Sequence, residues 1–277
     1  MTETLPLRDK LIQWLEREGY PLEMRVAARF RENTKLRVRQ GWHYTDPEST
    51  QSREIDVVAT ADEVYGFAGV HFVIECKAST APWVLFTSDH TMENFNRLTA
   101  FGLASREGKG PLAESLMKSL REESTQRIRA LPWFWHEEPV GYSLVQALGG
   151  NSEAPYAAAI AAVKAALYCH ASSPEHNTPP RFMVTFPVVV TSAPLFQCHL
   201  GVDGKPELRE IERGFWFFQQ RIGPARPVKV AIVSEAGLGF YIDECNRVSE
   251  TVMGIFQPAV EKAWKTFKRQ LPPSQAE

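Results

Sequence analysis

Two stretches decide the fold: Arg53-Glu54-Ile55-Asp56-Val57-Val58-Ala59-Thr60 and Val70-His71-Phe72-Val73-Ile74-Glu75-Cys76-Lys77. Each is an apolar, β-branched run and reads as a strand. Gly66 and Gly69 flank a turn between them. Side chains alternate along a strand, so Glu75 and Lys77 share one face while Phe72, Ile74 and Cys76 share the other. Glu54 and Asp56 likewise fall together. If the two strands are antiparallel neighbours with matching faces, Asp56 comes within reach of Glu75. Two carboxylates and an ammonium at one end of a sheet form a site for a hard divalent cation. Magnesium suits such oxygens, because it keeps several waters and binds substrate phosphate.

Upstream, residues 5–18 read as a helix with Leu11, Ile12 and Leu15 on one face, stopped by Gly19. Pro21 suits a first helical turn, and Leu22, Val26 and Phe30 recur at helical spacing up to about Asn33. Residues 36–39 alternate as a strand with one basic face, and residues 46–52 form a polar loop. Downstream, residues 91–105 and 112–130 read as helices joined by a flexible, glycine-rich segment, 106–111. Leu131-Pro132-Trp133-Phe134-Trp135 reads as a loop that packs aromatics. Residues 155–171 form a helix, residues 181–191 and 228–233 form buried strands, and a C-terminal helix from Val248 breaks at Pro258. With no internal repeat and no rich linker, the organisation is one elaborated α/β domain over residues 1–277. Its core motifs lie at about 19–83, a helical and aromatic insertion at about 85–150, and a helix with further strands at about 155–277.

The composition bounds the function. The 277 residues are 44% hydrophobic and 23% charged, near the averages of globular chains, which excludes a disordered or collagen-like protein. A net charge of -2 provides no global basic field, so a nucleic-acid site has to be a local patch. Cys76, Cys169, Cys198 and Cys245 form no Cys-x-x-Cys pair, which argues against a zinc ribbon or a disulfide scaffold. Residues 1–5 lack a basic and apolar leader pattern, and the apolar helix of residues 156–169 is short and carries Lys164. The expectation is a cytoplasmic protein without a membrane partner.

Acid-x-Lys triplets alone say little, since Glu107-Gly108-Lys109 and Asp203-Gly204-Lys205 also occur. Only Glu75-Cys76-Lys77 ends an apolar strand. In that context, residues 19–83 resemble the PD-(D/E)XK nuclease superfamily with its restriction-endonuclease-like fold, and an Mrr-like core within it. The resemblance rests on Gly-Tyr-Pro-Leu-Glu (19–23) on a helix, Arg-Glu-Ile-Asp-Val-Val-Ala (53–59), and Phe-Val-Ile-Glu-Cys-Lys (72–77). It implies a central mixed sheet flanked by helices. It further implies that Asp56 and Glu75 ligate Mg2+ or Mn2+, that Glu23 assists the metal, and that Lys77 stands beside the attacking water. Ile55 stands where the motif has proline, and beyond Trp83 only a general helix-then-strand order matches.

These residues also have plainer readings. Glu75 and Lys77 could be a solvent salt bridge, Glu23 a solvated helix residue, and Glu54 a partner of Arg53. Residues 21–40 carry Arg25, Arg29, Arg31, Lys35, Arg37 and Arg39 against Glu23 and Glu32, a phosphate-contacting patch or a solvated face. Lys164 either approaches a nucleic-acid backbone or snorkels. His43 and His71 flank the site region. Cys169-His170 with Cys198-His199 is a weak zinc candidate, because adjacent ligands are awkward. No Walker A loop, dinucleotide fingerprint or Gly-x-Ser-x-Gly elbow occurs. The expected activity is magnesium-dependent hydrolysis of DNA phosphodiester bonds, in DNA processing or host defence. Two alternatives remain open: a catalytically silent nucleic-acid or protein-binding module, and an effector nuclease activated by a protein partner. Double-strand cutting would favour a homodimer.

Overall fold

The computed structural model describes residues 6–33, 35–46, 48–93, 102–121, 133, 139–149, 152–171, 181–219 and 227–268. The elements run α1 (Leu7–Glu18), α2 (Tyr20–Asn33), β1 (Arg37–Thr45), β2 (Ser52–Asp62), β3 (Ala68–Lys77), β4 (Trp83–Ser88), β5 (Leu103–Ala104), α3 (Arg106–Arg121), β6 (Val140–Gln146), α4 (Ala154–Ala171), β7 (Phe182–Thr191), β8 (Leu195–Leu200), β9 (Pro206–Glu210), β10 (Arg213–Phe218), β11 (Val228–Ser234) and α5 (Leu238–Lys268). The architecture is α/β, with one large mixed sheet flanked by helices. Its strand order is β1-β2-β3-β7-β11-β10-β6-β4-β8-β9, and β5 pairs with β7 off that path.

β1, β2 and β3 form an antiparallel meander, whereas β3, β7 and β11 run parallel side by side. β7 and β11 are buried at every position, as their apolar runs imply for central strands covered on both faces. The pleat sorts their side chains into two layers. Val184, Phe186, Val188 and Val190 of β7 join Ala231 and Val233 of β11 beneath α2, α3 and α5. Val189, Val230 and Ile232 face α4 instead, whose Ala158, Ala159, Ala162 and Val163 let it lie close to the sheet.

Several expectations are corrected. Residues 106–111 are not a flexible joiner but the opening turns of α3, where the Ser105 hydroxyl accepts the Gly108 amide at 2.9 Å and so caps the helix. In the segment expected to be helical over 91–105, Leu103–Ala104 is a strand and 94–101 lie outside the described residues. Residues 122–130 of the next expected helix lie outside them as well. The segment 85–150 is not wholly an insertion, because β4 and β6 pair with each other inside the central sheet. Nor does Pro258 break the last helix. The stripe Leu238, Tyr241, Cys245, Val248, Val252, Phe256 and Val260 is buried on both sides of it, and that burial offsets the one missing helix bond. Of the aromatic run at 131–135, Trp133 alone is described. It is buried, with ring centroids 4.5 Å from Phe186 and 4.9 Å from Phe215.

Candidate metal centre

The register of β2 on β3 pairs Val57 with Ile74 and Val58 with Val73, so the next step outward sets Asp56 opposite Glu75. The antiparallel pairing expected of the two strands is therefore present, and it places both carboxylates at the carboxyl end of β3. β7 and β11 end at the same edge, as Lys77 pairs with Thr191 and Thr191 with Ser234. Crevices outside the carboxyl ends of parallel strands are where α/β sheets bind ligands.

Asp56 sits at a break in the pleat. Ile55 packs in the layer with Tyr44, Val58 and Cys169, but Val57, two residues on, packs in the opposite layer. Across from this break the register of β1 brackets Gly41, whose φ is 63°. That left-handed conformation suits glycine. Asp56 is half-buried, and its Oδ2 accepts the Cys76 backbone amide at 2.7 Å.

Electrostatics tie Glu23 of α2 to the same cluster. Burial pushes its carboxyl up to about 7, and the charges of Asp56 and Glu54 add to the rise. Burial also raises Glu75, followed by the charge of Asp56, against the lowering effect of Lys77; Glu23 raises it further. Asp56 is raised by burial despite the Cys76 amide. Three carboxylates thus repel one another, with Lys77 as the cation at the strand end. The Lys77 side chain is exposed, but its carbonyl accepts the Thr191 hydroxyl at 3.0 Å, which fixes the backbone beneath it.

All the donors here are hard oxygens, which suits magnesium or manganese. Among the described residues no group of three or more His, Cys, Asp and Glu side chains forms a ready-made cage for a metal ion. A cation here would complete its shell with water or phosphate oxygens beside Asp56 and Glu75, as magnesium habitually does.

The other expected residues are placed as follows. Arg25 forms a two-pronged ion pair with Glu235, 2.5 Å from Nε to Oε1 and 3.0 Å from Nη2 to Oε2. Arg31 donates to Gln40 at 2.9 Å, and the Arg39 guanidinium lies 5.5 Å from the centre of the Trp42 ring. Arg29, Lys35 and Arg37 are exposed. Lys164 neither snorkels nor presents its charge: it is bound to Asp46 at 3.0 Å and Glu48 at 2.6 Å. Arg53 pairs with Asp46 as well, at 3.0 Å, rather than with Glu54. His71 is not beside the carboxylates but at the far end of β3, 2.9 Å from Asp62. His43 stands opposite Glu54 in register. The Cys169-His170 and Cys198-His199 pairs do not meet, since Cys169 packs near β1 and β2 while Cys198 is on β8 near the other end of the sheet.

Sequence reasoning missed Asp46 and Glu235. Asp46 is inaccessible to solvent, accepts the Glu48 amide at 3.0 Å, and joins Arg53 to Lys164. Nothing in a polar loop distinguishes it. Glu235 did carry a signal, for it is an acid directly after a buried apolar strand, as Glu75 is near the end of its own.

The fold and the cluster define a class in physical terms: an α/β chain with an acidic, lysine-flanked site at the carboxyl ends of parallel strands. No protein-family model matches the chain, and neither does a curated protein or a solved structure. Among the described residues no helix is long and apolar enough to cross a membrane.

Proposed function

We propose that this chain is a magnesium-dependent nuclease that hydrolyses phosphodiester bonds in DNA, with a restriction-endonuclease-like core formed by α2, β1, β2, β3 and the strands beside them. The observation that carries the reading is the pairing of Asp56 with Glu75 at the carboxyl end of β3, with Glu23 and Lys77 around it. Hydrolysis needs a hydroxide, stabilisation of charge at phosphorus, and a leaving oxygen that is protonated or otherwise neutralised. Magnesium supplies an acidified water and charge neutralisation at the phosphate. Asp56 and Glu75 would hold the ion, and the Cys76 amide fixes one oxygen of the Asp56 carboxylate. Glu23 closes the site from α2. The exposed Lys77 ammonium stabilises both the nucleophile and the added negative charge. Arg29, Lys35 and Arg37 contact phosphates away from the scissile one.

The test is cleavage of supercoiled and linear DNA with magnesium or manganese by the wild type, Asp56→Ala and Lys77→Ala. Nicking or linearisation by the wild type, lost in both variants while DNA binding persists, is the expected result. Absence of cleavage by the wild type with either metal would overturn the proposal.

A further inference from the structure

We infer that α1 is a self-association surface on which two copies of this chain pair, helix against helix and antiparallel. Leu7, Leu11, Trp14 and Leu15 recur at helical spacing along α1, with Ile12 beside them, and all five are between 39% and 73% exposed. The apolar surface continues onto α2 through Tyr20 and Met24, also exposed, and the Trp14 and Tyr20 rings lie 6.2 Å apart. No α1 residue belongs to a hydrophobic core cluster among the described residues. A helix of 12 residues with no side-chain cap, and with its apolar residues outside the core clusters among the described residues, is marginal in water, so α1 gains from a cover.

Area and charge both identify that cover as a second copy. The seven exposed apolar residues offer on the order of 800 Å² of surface, more than a monomer usually leaves bare and close to what each partner contributes to a stable interface. Arg8 and Lys10 flank Asp9 in the first turn of α1, and Glu18 ends the helix. A net positive charge at the N-terminus and an acid at the C-terminus oppose the helix dipole. An antiparallel copy sets each basic end against the other copy's Glu18 and also opposes the two dipoles. The patch is thus self-complementary about a two-fold axis, as an isologous dimer requires. Met24 directly follows Glu23, so the interface reaches the rim of the carboxylate cluster and relates two such clusters by symmetry. The pairing goes beyond the nuclease reading and holds with or without it.

Light scattering on the full chain at micromolar concentration provides the test. The wild type is expected at twice the chain mass of 31.3 kDa. Leu11→Glu combined with Leu15→Glu is expected at the chain mass and still cooperatively folded, with its thermal midpoint lower only by the dimer's contribution, because neither residue belongs to a core cluster. Arg8→Glu with Lys10→Glu should weaken the dimer about tenfold, and adding Glu18→Lys should restore it. The charge variants keep the test decisive if the leucine variant fails to fold. A wild type at the chain mass, a leucine variant that folds and stays dimeric, or a charge-reversed triple variant that stays weak would each overturn the inference.

Discussion

The backbone amide of Cys76 donates to Asp56 Oδ2 at 2.7 Å, joining two residues 20 positions apart on neighbouring strands. The bond holds Asp56 at the strand end beside Glu75. It favours the ionised form of Asp56, yet burial outweighs it, and the charge held there raises Glu75 in turn. The cluster is an arrangement the fold maintains at a cost in stability.

That cost predicts a stabilising substitution. Glu23 and Glu75 have folded-state pKa values above their unfolded ones. Their contribution to stability is therefore fully present below the unfolded carboxylate range and is lost as pH rises through the folded values, about 7 for Glu23. In a chelator at pH 8, Glu75→Gln should raise the thermal midpoint by about 3 °C, and the gain should shrink at pH 5. A midpoint lowered equally at both pH values would contradict the electrostatic account.

A bound cation should reverse the effect. Magnesium at a hundred times its dissociation constant stabilises the state that binds it by about 2.7 kcal/mol. Thermal melts with and without magnesium should show that stabilisation in the wild type and not in Asp56→Asn. Equal stabilisation in both proteins would place the metal elsewhere.

Asp46 gives a prediction about the fold alone. It has no exposed surface, and the Glu48 amide, Lys164 and Arg53 together hold its carboxyl well below the usual range despite burial. A depressed pKa contributes stability above the unfolded value near 3.9 that is lost as pH falls through the folded one. Asp46→Ala should cost about 2 kcal/mol at pH 7, since Lys164 and Arg53 both lose a carboxylate, while the half-exposed Arg53 and the exposed Glu48 carboxylate on Lys164 limit the penalty. Chemical denaturation curves at pH 7 and pH 3 measure it, with a smaller difference expected at pH 3.

The Arg25–Glu235 pair ties α2, and with it Glu23, to the carboxyl end of β11. Arg25 is about half exposed, so solvent screening limits the coupling to about 0.5 kcal/mol. A double-mutant cycle with Arg25→Ala and Glu235→Ala measures it by denaturation, and the coupling should fall further in high salt.

Gly41 offers a last check on the break in β2. At a φ of 63° a side chain is strained, and a Cβ there would stand 3.3 Å from Glu54 Oε1. Gly41→Ala should destabilise the protein by about 1–2 kcal/mol in the same unfolding assay.

The sequence by itself determined the elements with strong local periodicity. The strands at 53–60, 70–77, 181–191 and 228–233 were legible because an apolar run between turn residues has few other conformations to adopt. So were the first two helices and the helix at 155–171. The alternation that puts Glu75 and Lys77 on one face is a property of any strand, and the apolar run that ends on them singled out this acid-x-Lys triplet among three. Only the tertiary structure decided the rest, because the deciding interactions join residues far apart in the chain. The sheet recruits β4 and β6, α5 passes through Pro258 because both flanks are buried, and Ser105 turns a glycine-rich segment into a helix start. Lys164 finds Asp46 from 118 positions away, which no local pattern announces. Glu235 reaches Arg25 across 210 positions, a pairing of α2 with the end of β11 that no local pattern announces either.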